Sequence, residues 1–271
     1  MKRINDVTPA DFAKVKCFLL DMDGTFYLDD NLIDGALSFI DAVNETGRDF
    51  LFLTNNTSRN GDFYVKKLAR LGLEVDRSKV LTAGDATATK LKELYPGKKA
   101  FVLGNEYLVE DLEARRIVVD NENPDIVVIG FDTTLDYAKM HAVCDFVRAG
   151  LPYIATHPDF NCPTATGSGF MPDIGAIMAF IEASTGRRPE LIVGKPYTGI
   201  VDAVLERTGL RTEECAMVGD RLYTDIETGL RSGMLSILVL SGETTEEMLA
   251  EYPNKPHMVF DKLADINPLL K

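Results

Sequence analysis

The sequence predicts an α/β protein: a doubly wound, parallel-sheet (Rossmann-like) unit interrupted by a second α/β insertion. Three observations carry that expectation. Short β-branched or aromatic runs alternate with segments of helical periodicity, the pattern that builds parallel sheets through crossover helices. Four of these runs end in polar residues suited to chemistry, and open parallel sheets hold ligands outside the carboxyl ends of their strands. The chain has 271 residues, above the usual size of one domain, so two units fit as well as one large one.

The elements follow in order. The first strand is Cys17-Phe18-Leu19-Leu20. A helix comes next, because Ala36, Phe39, Ile40 and Val43 recur at helical spacing and Gly47 supplies a stop. The second strand is Phe50-Leu51-Phe52-Leu53, and the helix after it runs from Phe63 to Leu71, ending at Gly72. A second strand–helix set then begins, with candidate strands Ala100 to Leu103, Ile117 to Val119, Ile126 to Ile129 and Tyr153 to Ala155. The first style returns with strand Leu191 to Val193, helix Ile200 to Arg207, and strands Ala216 to Val218 and Ser236 to Leu240. The expected division is therefore residues 1–80 with 190–271 as one unit and 81–189 as the insertion. No Gly/Ser-rich linker marks either junction.

Hydrophobic residues make up 45% and charged residues 26% of the chain, enough for a real core. The formal net charge is −13 with no long Lys/Arg run, which argues against nucleic acid or a membrane surface as partner, since both need a broad basic face. No stretch approaches the roughly 20 apolar residues that span a bilayer, and Met1 to Ala13 has no signal-peptide core. Cys17, Cys144, Cys162 and Cys215 form no CxxC pair and are expected to be reduced thiols of a cytoplasmic protein. His141 and Cys144 could share a helix face, but two residues make a poor metal site, and ordinary packing is the reading adopted.

The polar strand ends carry the chemistry. They read Asp21-Met22-Asp23-Gly24-Thr25, Thr54-Asn55-Asn56-Thr57, Val193-Gly194-Lys195-Pro196, and Gly219-Asp220 followed by Asp225. All four sets are expected to converge at one sheet edge. Asp21, Asp23 and Asp220 would concentrate negative charge on hard oxygen atoms, a donor set suited to Mg2+. A carboxylate can also attack phosphorus to form an aspartyl-phosphate. Lys195, the Thr54 hydroxyl and backbone amides near Asn55 could neutralise a phosphoryl group, and Gly24 would permit the tight turn behind the two acids. Each residue has a plainer reading: a solvated turn for Asp21 and Asp23, a helix cap for Thr54 and Asn55, a surface lysine, a helix-start charge for Asp225. Their joint occurrence outweighs those readings.

These motifs resemble those of the haloacid dehalogenase superfamily, whose DxDGT signature matches Asp21 to Thr25. The other three motifs match in the same order. The insertion, with Phe50 to Asn56 and Ala155-Thr156-His157-Pro158-Asp159, resembles the class IIA branch of NagD-like and p-nitrophenylphosphatase-like enzymes, in which it forms an α/β cap that sets specificity. The resemblance covers essentially the whole chain and is sharper in the core motifs than in the cap. It implies a Mg2+-dependent phosphatase for sugar phosphates, nucleotide monophosphates or p-nitrophenyl phosphate, acting as a monomer or homodimer. By the same resemblance, Asp21 is the nucleophile and Asp23 the acid and base. Asp21, the Asp23 carbonyl and Asp220 hold metal, Asp225 supports it, and Thr54, Asn55 and Lys195 bind phosphate. His157, Asp159, Asn161 and Met171-Pro172-Asp173 are candidates for contact with the rest of the substrate. A phosphomutase and a non-enzymatic phosphoacceptor switch are the alternatives.

Overall fold

A computed structural model describes residues 1–163 and 169–271. They form two compact units. The first comprises Met1–Thr54, Val65–Leu81 and Val204–Lys271; the second comprises Asn55–Tyr64 and Thr82–Ala203.

The first unit is built on a seven-stranded sheet in the order Lys2–Arg3, Met258–Phe260, Leu235–Val239, Cys215–Gly219, Cys17–Leu20, Asp49–Thr54, Val80–Thr82. Its central strands pair in parallel. Cys17–Leu20 and Cys215–Gly219 are buried along their whole length, because a parallel sheet is covered on both faces and its strands read as continuous apolar runs. The helix Ala36–Glu45 buries Ala36, Phe39, Ile40, Ala42 and Val43, the periodic set seen in the sequence. Phe39 meets Phe18 edge-on at 5.3 Å between ring centroids, and Phe26 meets Phe52 at 4.9 Å; such pairs each add about 0.5–1.5 kcal/mol beyond area burial. The register sets Leu20 beside both Val218 and Phe52. Asp21, Leu53-Thr54 and Gly219-Asp220 consequently leave the sheet side by side at its carboxyl edge.

The second unit carries a five-stranded sheet ordered Leu191–Ile192, Tyr153–Ala155, Ile126–Ile129, Lys99–Leu103, Val118–Val119. Strand alternation divides its core. Phe101, Leu103, Val127, Ile129, Tyr153 and Ala155 pack on helices Tyr137–Arg148 and Ile174–Thr185. Ala100, Val102, Ile126, Val128 and Ile154 face the opposite way, onto helices Ala83–Leu94 and Glu106–Ala114. Cys144 belongs to the first of these clusters, while His141 is exposed and pairs with Asp145 at 3.3 Å.

One expectation is corrected here. The strand preceding Lys195 does not join the sheet that carries the other three motifs; Leu191–Ile192 pairs in parallel with Tyr153–Ala155. An apolar run three residues long signals a strand but not the sheet that receives it. Three motif strands, not four, share one sheet edge. Among the described residues no helix is long and apolar enough to cross a membrane.

Candidate active site

The carboxyl edge of the first unit gathers three acids. Asp21, Asp220 and Asp225 each present a carboxylate oxygen, and these oxygens lie within 4.8 Å of one another. Asp21 is half-buried at the end of its strand, held by its N–H donating to the Val218 carbonyl at 2.9 Å. Asp220 and Asp225 are buried. Asp225 sits in a π-helical turn, Leu222–Ile226, and accepts a hydrogen bond from the Arg221 N–H at 3.1 Å.

Missing side chains make room for these acids. A Cβ at Gly24, where φ is +80°, would fall 2.4 Å from Asp220 Oδ2; one at Gly242 would fall 2.1 Å from the same oxygen. A Cβ at Gly219 would lie 2.2 Å from Asp225 Cγ. Asp220 Oδ2 accepts from the Glu243 N–H at 2.7 Å and Oδ1 from the Thr25 hydroxyl at 3.4 Å, while the Thr244 hydroxyl donates to its carbonyl. Ser241 donates to the Gly24 carbonyl at 2.8 Å. This Ser241–Thr244 turn went unread in the sequence, although Ser-Gly-Glu-Thr directly after a strand is the pattern of a strand-end loop.

The electrostatics favour a cation. Burial, with Asp225 beside it, pushes the Asp220 carboxyl up to about 7: a buried acid next to another resists ionisation unless positive charge arrives. Hard carboxylate oxygens on strand ends, two of them buried, are the donors Mg2+ prefers, so the residues present fit that ion. Arg221 supplies fixed positive charge; burial opposes it, but Asp21 and then Tyr223, Asp220 and Glu243 hold its pKa above the ordinary arginine value.

Asp23 is placed differently. It is an exposed residue, and it is not one of the three acids whose oxygens cluster. The protein around it still desolvates the carboxyl enough to raise its pKa above the usual carboxylate range, against the pull of Lys67 and Arg221. Lys67 was missed in the sequence because it lies on the helix Gly61–Arg70 as an ordinary surface-type lysine. Its ammonium sits 3.8 Å from the centroid of the Tyr27 ring, and burial lowers its pKa while Asp23 opposes that fall. Thr54, the last residue of the Asp49–Thr54 strand, is buried.

The second unit holds the other pair. Lys195 is 2% exposed, far from an ordinary surface lysine. The Asn55 side chain accepts from the Lys195 N–H at 2.8 Å and donates to the Lys195 carbonyl at 2.9 Å. Asn55 does not cap a helix: the next one starts at Gly61, and Asn60 accepts from the Phe63 N–H at 2.9 Å. His157 and Asp173 are turned inward, with His157 Nε2 3.1 Å from Asp173 Oδ1 and His157 Nδ1 2.9 Å from the Thr156 hydroxyl. They form a metal-sized group with Asp159, and both ring nitrogens are engaged by side chains of the same unit. Asn161 is exposed on the ribbon Asn161–Pro163, which pairs with Phe170–Pro172.

Comparison with known proteins gives a consistent result. A family model described as haloacid dehalogenase-like hydrolase matches residues 18–117, and one described as HAD-hydrolase-like matches residues 192–266. The ribonucleotide monophosphatase NagD of Escherichia coli (strain K12) is 34% identical over 93% of this chain and 98% of its own. An acid sugar phosphatase of Staphylococcus aureus (strain MRSA252) is 38% identical over 86% and 89%. The crystal structure of a 4-nitrophenylphosphatase from Thermotoga maritima superposes with a TM-score of 0.92 at 47% identity, covering 95% of this chain and 98% of that one.

Proposed function

The chain belongs to the haloacid dehalogenase-like hydrolases and is a phosphatase of small phosphorylated substrates; from that premise we propose that it is Mg2+-dependent and works through a phosphorylated Asp21. The observation that carries this reading is the meeting of Asp21, Asp220 and Asp225 oxygens at the carboxyl edge of the sheet.

In the first step an Asp21 oxygen attacks phosphorus; the new P–O bond forms as the ester P–O bond breaks, and Asp23 gives its proton to the departing alkoxide. A raised Asp23 pKa supports that role, since a general acid must hold a proton near neutral pH. In the second step Asp23 takes a proton from water, the water oxygen attacks the phosphorus of phospho-Asp21, and inorganic phosphate leaves with Asp21 restored. The Thr54 hydroxyl, the Asn55 backbone N–H and the Lys195 ammonium are assigned to the phosphoryl oxygens. Asp21, Asp220 and the Asp23 carbonyl would hold the metal, with Asp225 beside them; Mg2+, when bound, neutralises charge on the phosphoryl oxygens.

Residues 81–189 are assigned as the specificity cap, with sugar phosphates, nucleotide monophosphates and p-nitrophenyl phosphate as the substrate range. The four free thiols support a cytoplasmic setting, and we assign a monomer or homodimer. The test is phosphate release from a panel of such esters with Mg2+, with and without chelator. Wild-type protein is expected to turn over several of them and Asp21→Asn none while keeping its circular dichroism spectrum. Undiminished turnover by Asp21→Asn would refute the mechanism.

A further inference from the structure

Lys195 follows directly on the backbone ladder of its strand. The ladder between Leu191–Ile192 and Tyr153–Ala155 continues as the Val193 N–H donates to Ala155 at 3.1 Å and the Gly194 N–H to Thr156 at 2.7 Å. At Lys195 a side chain takes over. Asn55 accepts from the Lys195 N–H and donates to its carbonyl, satisfying both backbone groups of one residue as a neighbouring strand would. Gly194 permits this approach, because a Cβ there would lie 2.6 Å from Asn55 Oδ1 and 2.7 Å from the Thr156 carbonyl.

Only one orientation of the amide works. Flipped, it would set NH2 against the Lys195 N–H and oxygen against the carbonyl. Asp159 selects the working orientation, its carboxylate oxygens lying 3.2 and 3.4 Å from Asn55 Nδ2; a bond to an ionised acceptor is stronger than a neutral one. Asp159 is itself anchored, since the Gly175 N–H donates to its carbonyl at 2.7 Å and the Asp173 N–H to the Phe160 carbonyl at 2.9 Å. A Cβ at Gly175 would come within 2.7 Å of the Pro158 carbonyl. The His157–Asp173 pair braces the same turn from inside.

We propose that Asn55, oriented by Asp159, is the positioning residue for Lys195 in the phosphatase reaction. This rests on the function proposed above, in which Lys195 meets the phosphoryl group. Asn55 acts through the Lys195 backbone and its side chain touches no reacting atom. Replacing it shifts where the ammonium is delivered, and a displacement on the order of 1 Å costs about 10²-fold in rate. The loss falls on kcat more than on KM, because charge neutralisation matters most in the transition state.

The test is steady-state kinetics with p-nitrophenyl phosphate and Mg2+ on Asn55→Asp, Asn55→Ala, Asp159→Ala, Asp159→Asn and Lys195→Ala. Asn55→Asp is expected to lose about 10²-fold in kcat at about pH 8, and its deficit against wild type should narrow toward about pH 5.5. Ionised, the introduced carboxyl has no donor for the Lys195 carbonyl and faces Asp159, with His157 and Asp173 behind; protonated, it regains that donor. Asp159→Asn, which keeps an acceptor for the Asn55 amide, should recover most of the kcat that Asp159→Ala loses. That rescue also serves where Asn55→Ala does not fold. A deficit that ignores pH, or Asp159→Asn as impaired as Asp159→Ala, overturns the proposal. If Lys195→Ala is inactive while Asn55→Asp turns over normally, this inference alone fails; if Lys195→Ala keeps wild-type kcat, the assigned function of Lys195 fails instead.

Discussion

The side-chain amide of Asn55 spans the backbone of Lys195, accepting from its N–H at 2.8 Å and donating to its carbonyl at 2.9 Å. A residue expected from the sequence to face phosphate thus commits its side chain to holding another. Only its backbone N–H is left for the phosphoryl group in the mechanism proposed above. The same division recurs at the acidic edge, where Gly24 and Gly242 contribute by lacking a Cβ that would collide with Asp220.

Asp220 is expected to report on metal most sharply. Asp220→Asn removes a charge that burial and Asp225 disfavour, so at a pH above about 7 the metal-free variant should melt a few degrees above metal-free wild type, a few degrees being about 1 kcal/mol for a chain this size. The same change should raise the Mg2+ concentration for half-maximal activity by about tenfold or more. Thermal melts in chelator and a Mg2+ titration of activity measure the two effects. A lower melting point or an unchanged Mg2+ requirement would count against the donor set.

Gly24→Ala combines two faults: a methyl group 2.4 Å from Asp220 Oδ2 and a residue forced to φ +80°. The conformation alone costs about 1–2 kcal/mol, and the collision must push Asp220 away. Activity is expected to fall by about 10²-fold, more than the loss of folded protein explains. Denaturant melts beside kcat on the folded fraction separate the two.

His257 gives the fold a pH dependence away from the catalytic acids. Its Nδ1 accepts from the Ser236 N–H at 3.0 Å, and burial, aided by the N-terminal ammonium, lowers its pKa from 6.5. The folded state therefore binds fewer protons there than the unfolded chain, and stability falls as pH drops below 6.5. Melting temperature is expected to decline from about pH 7 to about pH 5, with a shallower slope in His257→Gln. Equal slopes would remove His257 from the explanation.

Continuous apolar runs made most of the fold legible. Cys17–Leu20, Ile126–Ile129 and Tyr153–Ala155 have the ends expected from the sequence, since fully buried parallel strands announce themselves in every residue. Lys2–Arg3 went unread because two charged residues at a sheet edge carry no apolar signal; Val80–Thr82 and Met258–Phe260 went unread although they are buried three-residue runs like the one read at Tyr153–Ala155. At the site, Asp21, Asp220 and Asp225 were legible as strand-end acids. Lys67 and Gly242 were not, since a lysine on a helix and a glycine in a loop gain meaning only from what lies against them.

The central claim is that phosphate passes through Asp21. It is tested most directly by mixing Asp23→Asn with p-nitrophenyl phosphate and Mg2+ and following product from the first milliseconds. Nitrophenolate leaves without a protonating acid, while hydrolysis of the phospho-enzyme still needs the base that the variant lacks. The expected result is a burst of about one nitrophenolate per active site, then slow turnover, with phosphate found on Asp21 by mass spectrometry of the acid-quenched protein. Turnover with no burst, and no phosphate on Asp21 at any time, would contradict the account.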